Sequence, residues 1–270
     1  MKNPGKPKMF VEVDLEGVSG AVYGAFGLPQ SKEAGRSELL MTLELNALVE
    51  GARAAGIGSL QVYEAHPFNQ DSLIGGIDVV HKIESVQDCD VLAFIGRHAR
   101  AGLQNAVLSH TGSSRSVMDF RVNGKSFGEF GIVAAYAGHF GVPAIFVSGD
   151  RAATEEAADL IPNITTVTVS EGRGNHSAVC LSSKKSRGLI KAGIIRAIRN
   201  WKNVKPLVVK KPVKIEYELR YPALADRFAL VPGLTRKNDR TVAWTCKDFK
   251  EAYRIYLATS LALIWWDAKR

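Results

Sequence analysis

The run Phe10-Val11-Glu12-Val13-Asp14-Leu15-Glu16-Gly17 constrains this chain more than any other. A short β-type segment ends in two carboxylates at i and i+2, with glycine directly after. Side chains two apart on an extended backbone point the same way, so Asp14 and Glu16 crowd one small volume. Two carboxylates that close repel unless a proton or a cation sits between them. Gly17 and Gly20 let the backbone turn away with no Cβ in the path. Taken alone, the segment reads as a strand with an acidic turn. Two later apolar runs change that reading, because residues 59–64 lead into His66 and residues 90–96 lead into His98.

Between these runs the pattern alternates. Residues 36–55 read as a helix, with Leu40, Leu43, Ala47 and Ala54 near helical spacing and Gly56 as its stop. With strands on both sides this is a β-α-β unit, hence a parallel pair. Residues 78–83 are expected to form a short strand, and 90–96 a strand buried on both faces. Strands at 117–122 and 125–127 flank Asn123-Gly124, a hairpin signal. A small-residue helix at 128–140, a strand at 143–148, a helix at 151–160, a strand at 164–169 and a basic helix at 182–201 follow. From about Lys205 the texture changes: Pro206 and Pro212 mark a linker, then strands at 213–219 and 241–246 precede a helix at 248–265 with Asp248 placed to cap it. The expected fold is α/β, a mostly parallel sheet flanked by helices. Residues 1–204 would form a metal-binding catalytic domain and residues 205–270 a smaller C-terminal α+β region.

At 270 residues the chain can bury a sizeable core. Cys89, Cys180 and Cys246 are far apart and no CxxC occurs, which argues against a disulfide framework or a thiolate zinc site and for a reducing compartment. The first eight residues lack the apolar core of a signal peptide, and the apolar run 255–266 is too short to cross a bilayer. A cytoplasmic protein with no membrane partner is expected. The net charge of +8 is uneven, since no acidic residue lies between Glu171 and Glu216 while Lys184, Lys185, Arg187 and Lys191 begin a long basic stretch. No aromatic-rich basic motif accompanies it, so it reads as a solvated helix face rather than a nucleic-acid surface.

In an open parallel sheet, ligands bind beyond the carboxyl ends of the strands. Asp14 and Glu16 end the first strand, His66 lies past the second, and His98 lies past a third. Aspartate, glutamate and histidine without cysteine form a ligand set for Zn²⁺, Mn²⁺ or Fe²⁺ in a hydrolytic site. A carboxylate able to bridge two ions suggests a binuclear centre.

Beyond spacing, the motifs carry a resemblance. Asp14-Leu15-Glu16-Gly17-Val18-Ser19-Gly20, Glu64-Ala65-His66, Gly96-Arg97-His98-Ala99-Arg100, Ser109-His110 and Gly128-Glu129-Phe130-Gly131 occur in order across the chain. Gly149-Asp150 with Glu155-Glu156-Ala157, and Lys247-Asp248 with Glu251-Ala252-Tyr253, extend the match. Together they resemble the D-aminopeptidases of the DppA type, the zinc peptidases of family M55. The resemblance implies two zinc ions per subunit, held by Asp14, Glu16, His66, His98 and Glu129, with Asp14 bridging. It implies that His110 acts as nucleophile or general acid/base, a task suited to an imidazole. Short peptides with an N-terminal D-residue would be the substrates, and a ring-like homo-oligomer, with ten subunits as the candidate number, would enclose the sites. The alternatives are a metallohydrolase of another amide or a phosphoester, and a non-catalytic metal-binding protein. His176 reads as a surface residue, with a substrate contact as the alternative. His81 and His139 read as ordinary strand and helix-end positions.

Overall fold

The computed structural model describes residues 6–22, 32–66 and 68–268. The Gly- and Pro-punctuated stretch 18–31, which the sequence predicts to be a loop, falls mostly outside them. Strand β1 (Lys8–Val13) is buried after its first residue, with Glu12 set among apolar neighbours. Helix α1 (Lys32–Ala54) starts ahead of the expected Arg36, and Gly56, at φ +95°, supplies the left-handed stop. Strand β2 (Ser59–Glu64) returns parallel to β1, completing the β-α-β unit. Strand β3 (Asp78–Val80) is shorter than expected, because the chain winds into a 3₁₀ turn that buries Ile83 and Val86. Strand β4 (Val91–Arg97) is buried throughout, as its unbroken apolar run requires.

The hairpin β5 (Val117–Val122) and β6 (Lys125–Ser126) turns at Asn123 and Gly124, both at positive φ, as a two-residue β-turn of this hand demands. There follow α2 (Glu129–His139), β7 (Ala144–Asp150) and α3 (Arg151–Leu160), the last capped by the Asp150 carboxylate, which accepts the Ala153 N–H. Strand β8 (Thr165–Gly174) runs beyond the expected 164–169, and β9 (Ser177–Cys180) folds back on it. The glycines of 172–174 read locally as a loop; pairing with β9 keeps them extended. Helix α4 (Ser183–Asn200) carries the basic stretch, and β10 (Val213–Leu219) follows it. Helix α5 (Pro222–Phe228) and β11 (Thr235–Arg236) were too short for any periodicity to announce them. Strand β12 (Thr241–Cys246) and α6 (Phe249–Ala268) complete the chain.

The first sheet has the order β3-β2-β1-β4-β7-β8-β9, parallel except for β9. Its helices are the crossovers that parallel pairing demands. The second sheet is antiparallel, in the order β11-β12-β10-β5-β6. It draws β5 and β6 from before residue 205 and the other strands from after it. The C-terminal segment therefore completes a sheet begun by the 117–126 hairpin. Phe120, Tyr217 and Trp244 from three of these strands pack together, and Phe120 meets Tyr256 of α6 edge-on. For the site, one consequence dominates. The chain leaves the carboxyl end of β4, crosses to the second sheet, and returns through α2, so that the start of α2 faces the ends of β1 and β4.

Candidate metal centre

The end of β1 is held against the end of β4 by backbone contacts. The Asp14 N–H donates to the Ile95 carbonyl (2.9 Å) and the Gly17 N–H to the Gly96 carbonyl (2.7 Å). The approach leaves no room for side chains: a Cβ on Gly17 would stand 2.0 Å from the Arg97 carbonyl oxygen, and one on Gly96 2.0 Å from that of Asp14. Gly96 also needs its φ of +71°. Two glycines thus bring Asp14 and His98 onto adjoining strand ends.

Around Asp14 the donors divide by oxygen. Oδ1 faces His66 Nε2 at 3.3 Å, and the same nitrogen lies 3.3 Å from Glu16 Oε2. Oδ2 faces His98 Nε2 at 3.5 Å, and that nitrogen lies 3.7 Å from Glu129 Oε2. Asp14, Glu16 and His98 are buried, while His66 and Glu129 are partly open. Glu129 is the first residue of α2, where the helix dipole favours a carboxylate. His110 stacks on His98 with ring centroids 4.0 Å apart, and its Nε2 is 3.6 Å from Glu129 Oε1. All six residues expected at the site therefore meet in one pocket. Donor atoms of Asp14, Glu16 and His98 lie within 4.8 Å of one another, as do those of His98, His110 and Glu129.

The donor chemistry fits a cation. The His98 Nδ1–H donates to the Ala99 carbonyl (2.9 Å), which turns Nε2 toward the carboxylates, and that buried atom has no hydrogen bond among the described residues. Carboxylates also exceed the buried positive charge. Glu12, Asp14, Glu16 and Glu129 surround a single buried guanidinium, that of Arg97, which ion-pairs with Glu12 (3.2 Å), Asp14 and Glu129 (3.7 Å). Burial would raise the Asp14 pKa, but Arg97 and then His98 outweigh it and hold Asp14 well below the usual range. Glu16, further from Arg97, is pushed up to about 8 by burial and by the Asp14 charge. Burial would lower His98, yet Asp14 and Glu129 raise it to about 10; His66 rises to about 9 against burial through Asp14 and Glu16. The pocket thus draws in positive charge, a demand that divalent ions on carboxylate and imidazole donors would meet.

His110 differs from the other two histidines. Burial and then the neighbouring His98 lower its pKa. Its Nδ1–H donates to the Leu108 carbonyl (2.8 Å), which aims Nε2 at the pocket. Leu108 sits at φ +50°, a strained setting for a branched side chain two residues from His110. The β8–β9 turn braces this loop, since the Leu108 N–H donates to the Asn175 carbonyl (2.8 Å) and the Asn175 side-chain amide to Ser109 Oγ (3.2 Å). His176 is exposed at that turn, His81 is an exposed partner of Glu64, and His139 closes α2 against Phe140.

Three residues with a part in the site escaped the sequence reading. Glu12 lies inside one apolar strand run and Arg97 directly ends another, a mismatch that signals a buried pair. Glu156, on α3, accepts the backbone N–H groups of Arg100 and Gly128, each at 2.9 Å. It so ties the segment after His98 to the residue before Glu129, and nothing local in a polar helix marks it for that role.

Residues 8–258 match the model of peptidase family M55, described as D-aminopeptidase. A D-aminopeptidase of Bacillus subtilis (strain 168) is 32% identical over 271 residues, covering 95% of this chain and 98% of that protein. Among solved structures, the Zn-dependent D-aminopeptidase DppA from Bacillus subtilis, described as a self-compartmentalizing protease, superposes with a TM-score of 0.87 at 30% identity, covering 94% of this chain and 96% of that one. On sequence and fold, this chain belongs to the M55 D-aminopeptidase family.

Proposed function

We propose that the protein is a zinc aminopeptidase that removes an N-terminal D-residue from short peptides, with two zinc ions per subunit held by Asp14, Glu16, His66, His98 and Glu129. The observation that carries this reading is the division at Asp14, whose two oxygens face different histidines, 3.3 and 3.5 Å away. Such a carboxylate suits a bridge between two ions. Zinc and the D-residue come from the relatives' description. The same description favours a homo-oligomer enclosing its sites, here a ring with ten subunits as the candidate number. The three free cysteines suit a reducing, cytoplasmic setting.

Bound zinc would polarise the scissile carbonyl and lower the pKa of water toward about 7, the value of the mononuclear reference case. The chain supplies the rest. Asp14 is kept anionic by Arg97 and so remains a ligand throughout. His110, held neutral by burial and by His98, presents Nε2 beside Glu129 and can take up a proton and deliver it to the leaving amine.

The test is metal content together with rates on D- and L-aminoacyl amides. Activity should favour the D-series, fall to background on full chelation, and return with zinc. Hydrolysis that survives complete metal removal would end the reading. His110→Ala should retain zinc and lose about 10²- to 10⁴-fold in kcat; full activity in that variant would remove the role given to His110.

A further inference from the structure

The turn after His110 holds an arginine that the reaction just described leaves unused. This turn is fixed at several points. The His110 N–H donates to the Ala99 carbonyl (3.2 Å) and the Gly112 N–H to Glu129 Oε1 (2.8 Å). The hydroxyls of Ser113 and Ser116 both donate to the Asp267 carboxylate near the end of α6. Arg115 therefore stands at a set place relative to the metal donors. One of its nitrogens, Nη1, donates to the Asp267 carbonyl (3.2 Å), which steadies the guanidinium and leaves its other N–H groups available.

Two cavities meet at this residue. One, of about 320 Å³, is lined by Glu16, His110, Arg115, Ile264 and Asp267 among others. The other, of about 340 Å³, is lined by Ser114, Arg115, Arg220, Tyr221 and Asp267. Their shared walls make a trough that runs from the metal donors to Arg220. Arg220 is tied in by its own N–H, which donates to the Ser116 carbonyl (2.8 Å). Arg97, Arg121, Arg151 and Arg236 pair with Glu12, Asp119, Glu171 and Asp226. Among the described residues, Arg115 and Arg220 form no ion pair. The nearest carboxylate, that of Asp267, is turned to the two serines.

We propose that Arg115, with Arg220 behind it, binds the free C-terminal carboxylate of a di- or tripeptide whose N-terminal residue lies beside Glu16 and His110. This rests on the aminopeptidase reading and narrows it to peptides with both ends free. A guanidinium fork matches a carboxylate in two parallel hydrogen bonds. Each extended residue advances the chain by only about 3.3–3.6 Å, and small-ligand pockets begin at about 300 Å³. Cavities of this size suit two or three residues rather than a long chain.

The experiment compares D-alanylglycine with its C-terminal amide. On the zinc-loaded protein, kcat/KM should favour the free acid by roughly 10- to 100-fold, the worth of a charge-assisted contact. Arg115→Gln, and more fully Arg115→Gln with Arg220→Gln, should collapse that ratio toward one, while Arg115→Lys restores part of it. A ratio near one in the unaltered protein, or a ratio that survives in the double variant, overturns the proposal. Calorimetric binding of both compounds to the zinc-free protein separates this result from the chemistry. If neither compound is cleaved, the aminopeptidase reading falls. The calorimetry still decides the subsite, with preference for the acid supporting it and equal affinity overturning it.

Discussion

Glu44 is a fully buried carboxylate on α1 that lies outside the donor set. It accepts the Ser19 N–H (3.3 Å) just beyond the Asp14–Glu16 turn, and so anchors that turn to the helix. Burial pushes its pKa up to about 7, only partly offset by Ser186, Ser19 and Arg187. The unfolded chain titrates this group at 4.5. Between those values the folded state holds a proton that the unfolded state releases, so this residue's contribution to stability falls as pH rises from 4.5 to 7 and is level above. Glutamine carries no such dependence. Glu44→Gln should therefore gain stability relative to the unaltered protein by on the order of 3 kcal/mol between pH 5 and pH 8. Denaturant melts of both proteins at the two pH values measure it. Equal differences at pH 5 and pH 8 would mean that the carboxylate stays charged, with Arg187 compensating it.

Between elements, Glu156 does what no single strand or helix can. It hangs from α3 and receives one N–H from the segment that leaves β4 and one from the residue that starts α2. A Cβ on Gly128 would stand 2.5 Å from Glu156 Oε1, so the glycine is what admits the carboxylate. Glu156→Ala should orphan both N–H groups and weaken zinc about tenfold or more, read by competition with a chelator in protein whose circular dichroism is unchanged. An unaltered zinc affinity would reduce Glu156 to ordinary packing. This joint also shows which parts of the site a sequence discloses. Asp14, Glu16, His66 and His98 follow apolar runs, and a parallel sheet collects strand ends at one edge, so their meeting is legible from periodicity. Glu129 opens a helix that arrives from the second sheet, and only motif likeness pointed to it. The pairing of β5 with β10 joins segments far apart in the chain, which no local pattern encodes. Glu12 and Arg97 were hidden for a related reason. Each looks like an isolated charge until β1 lies beside β4, where the Arg97 guanidinium, just past the paired residues, reaches Glu12.

For the whole molecule, α6 poses a question that the isolated chain does not answer. One face buries Phe249, Ala252, Tyr253, Tyr256, Leu263 and Trp266, at the spacing of a core-facing helix. The opposite face is apolar too, with Leu261 67% and Ile264 62% exposed, and a cavity of about 390 Å³ lies beside it between α5 and α6. A helix apolar on both sides buries both. Among the described residues no helix is long and apolar enough to cross a membrane, so a bilayer span does not account for the second face. A second copy of the chain seated there would account for it, and the solved structure it resembles is described as self-compartmentalizing. Ile264 also lines the cavity that holds Glu16 and His110, so a neighbour seated on this face would stand at the mouth of the site and limit what enters. Leu261→Glu with Ile264→Glu should then break the assembly, each substitution forfeiting roughly 1.5–3 kcal/mol of apolar burial and adding a charge to be desolvated. Sedimentation velocity should show the double variant shifted to smaller species, and it should cleave long peptides that the intact assembly excludes. If the variant sediments with the unaltered protein, the subunits meet through another surface, and the restriction on substrate size falls to the trough at Arg115 alone.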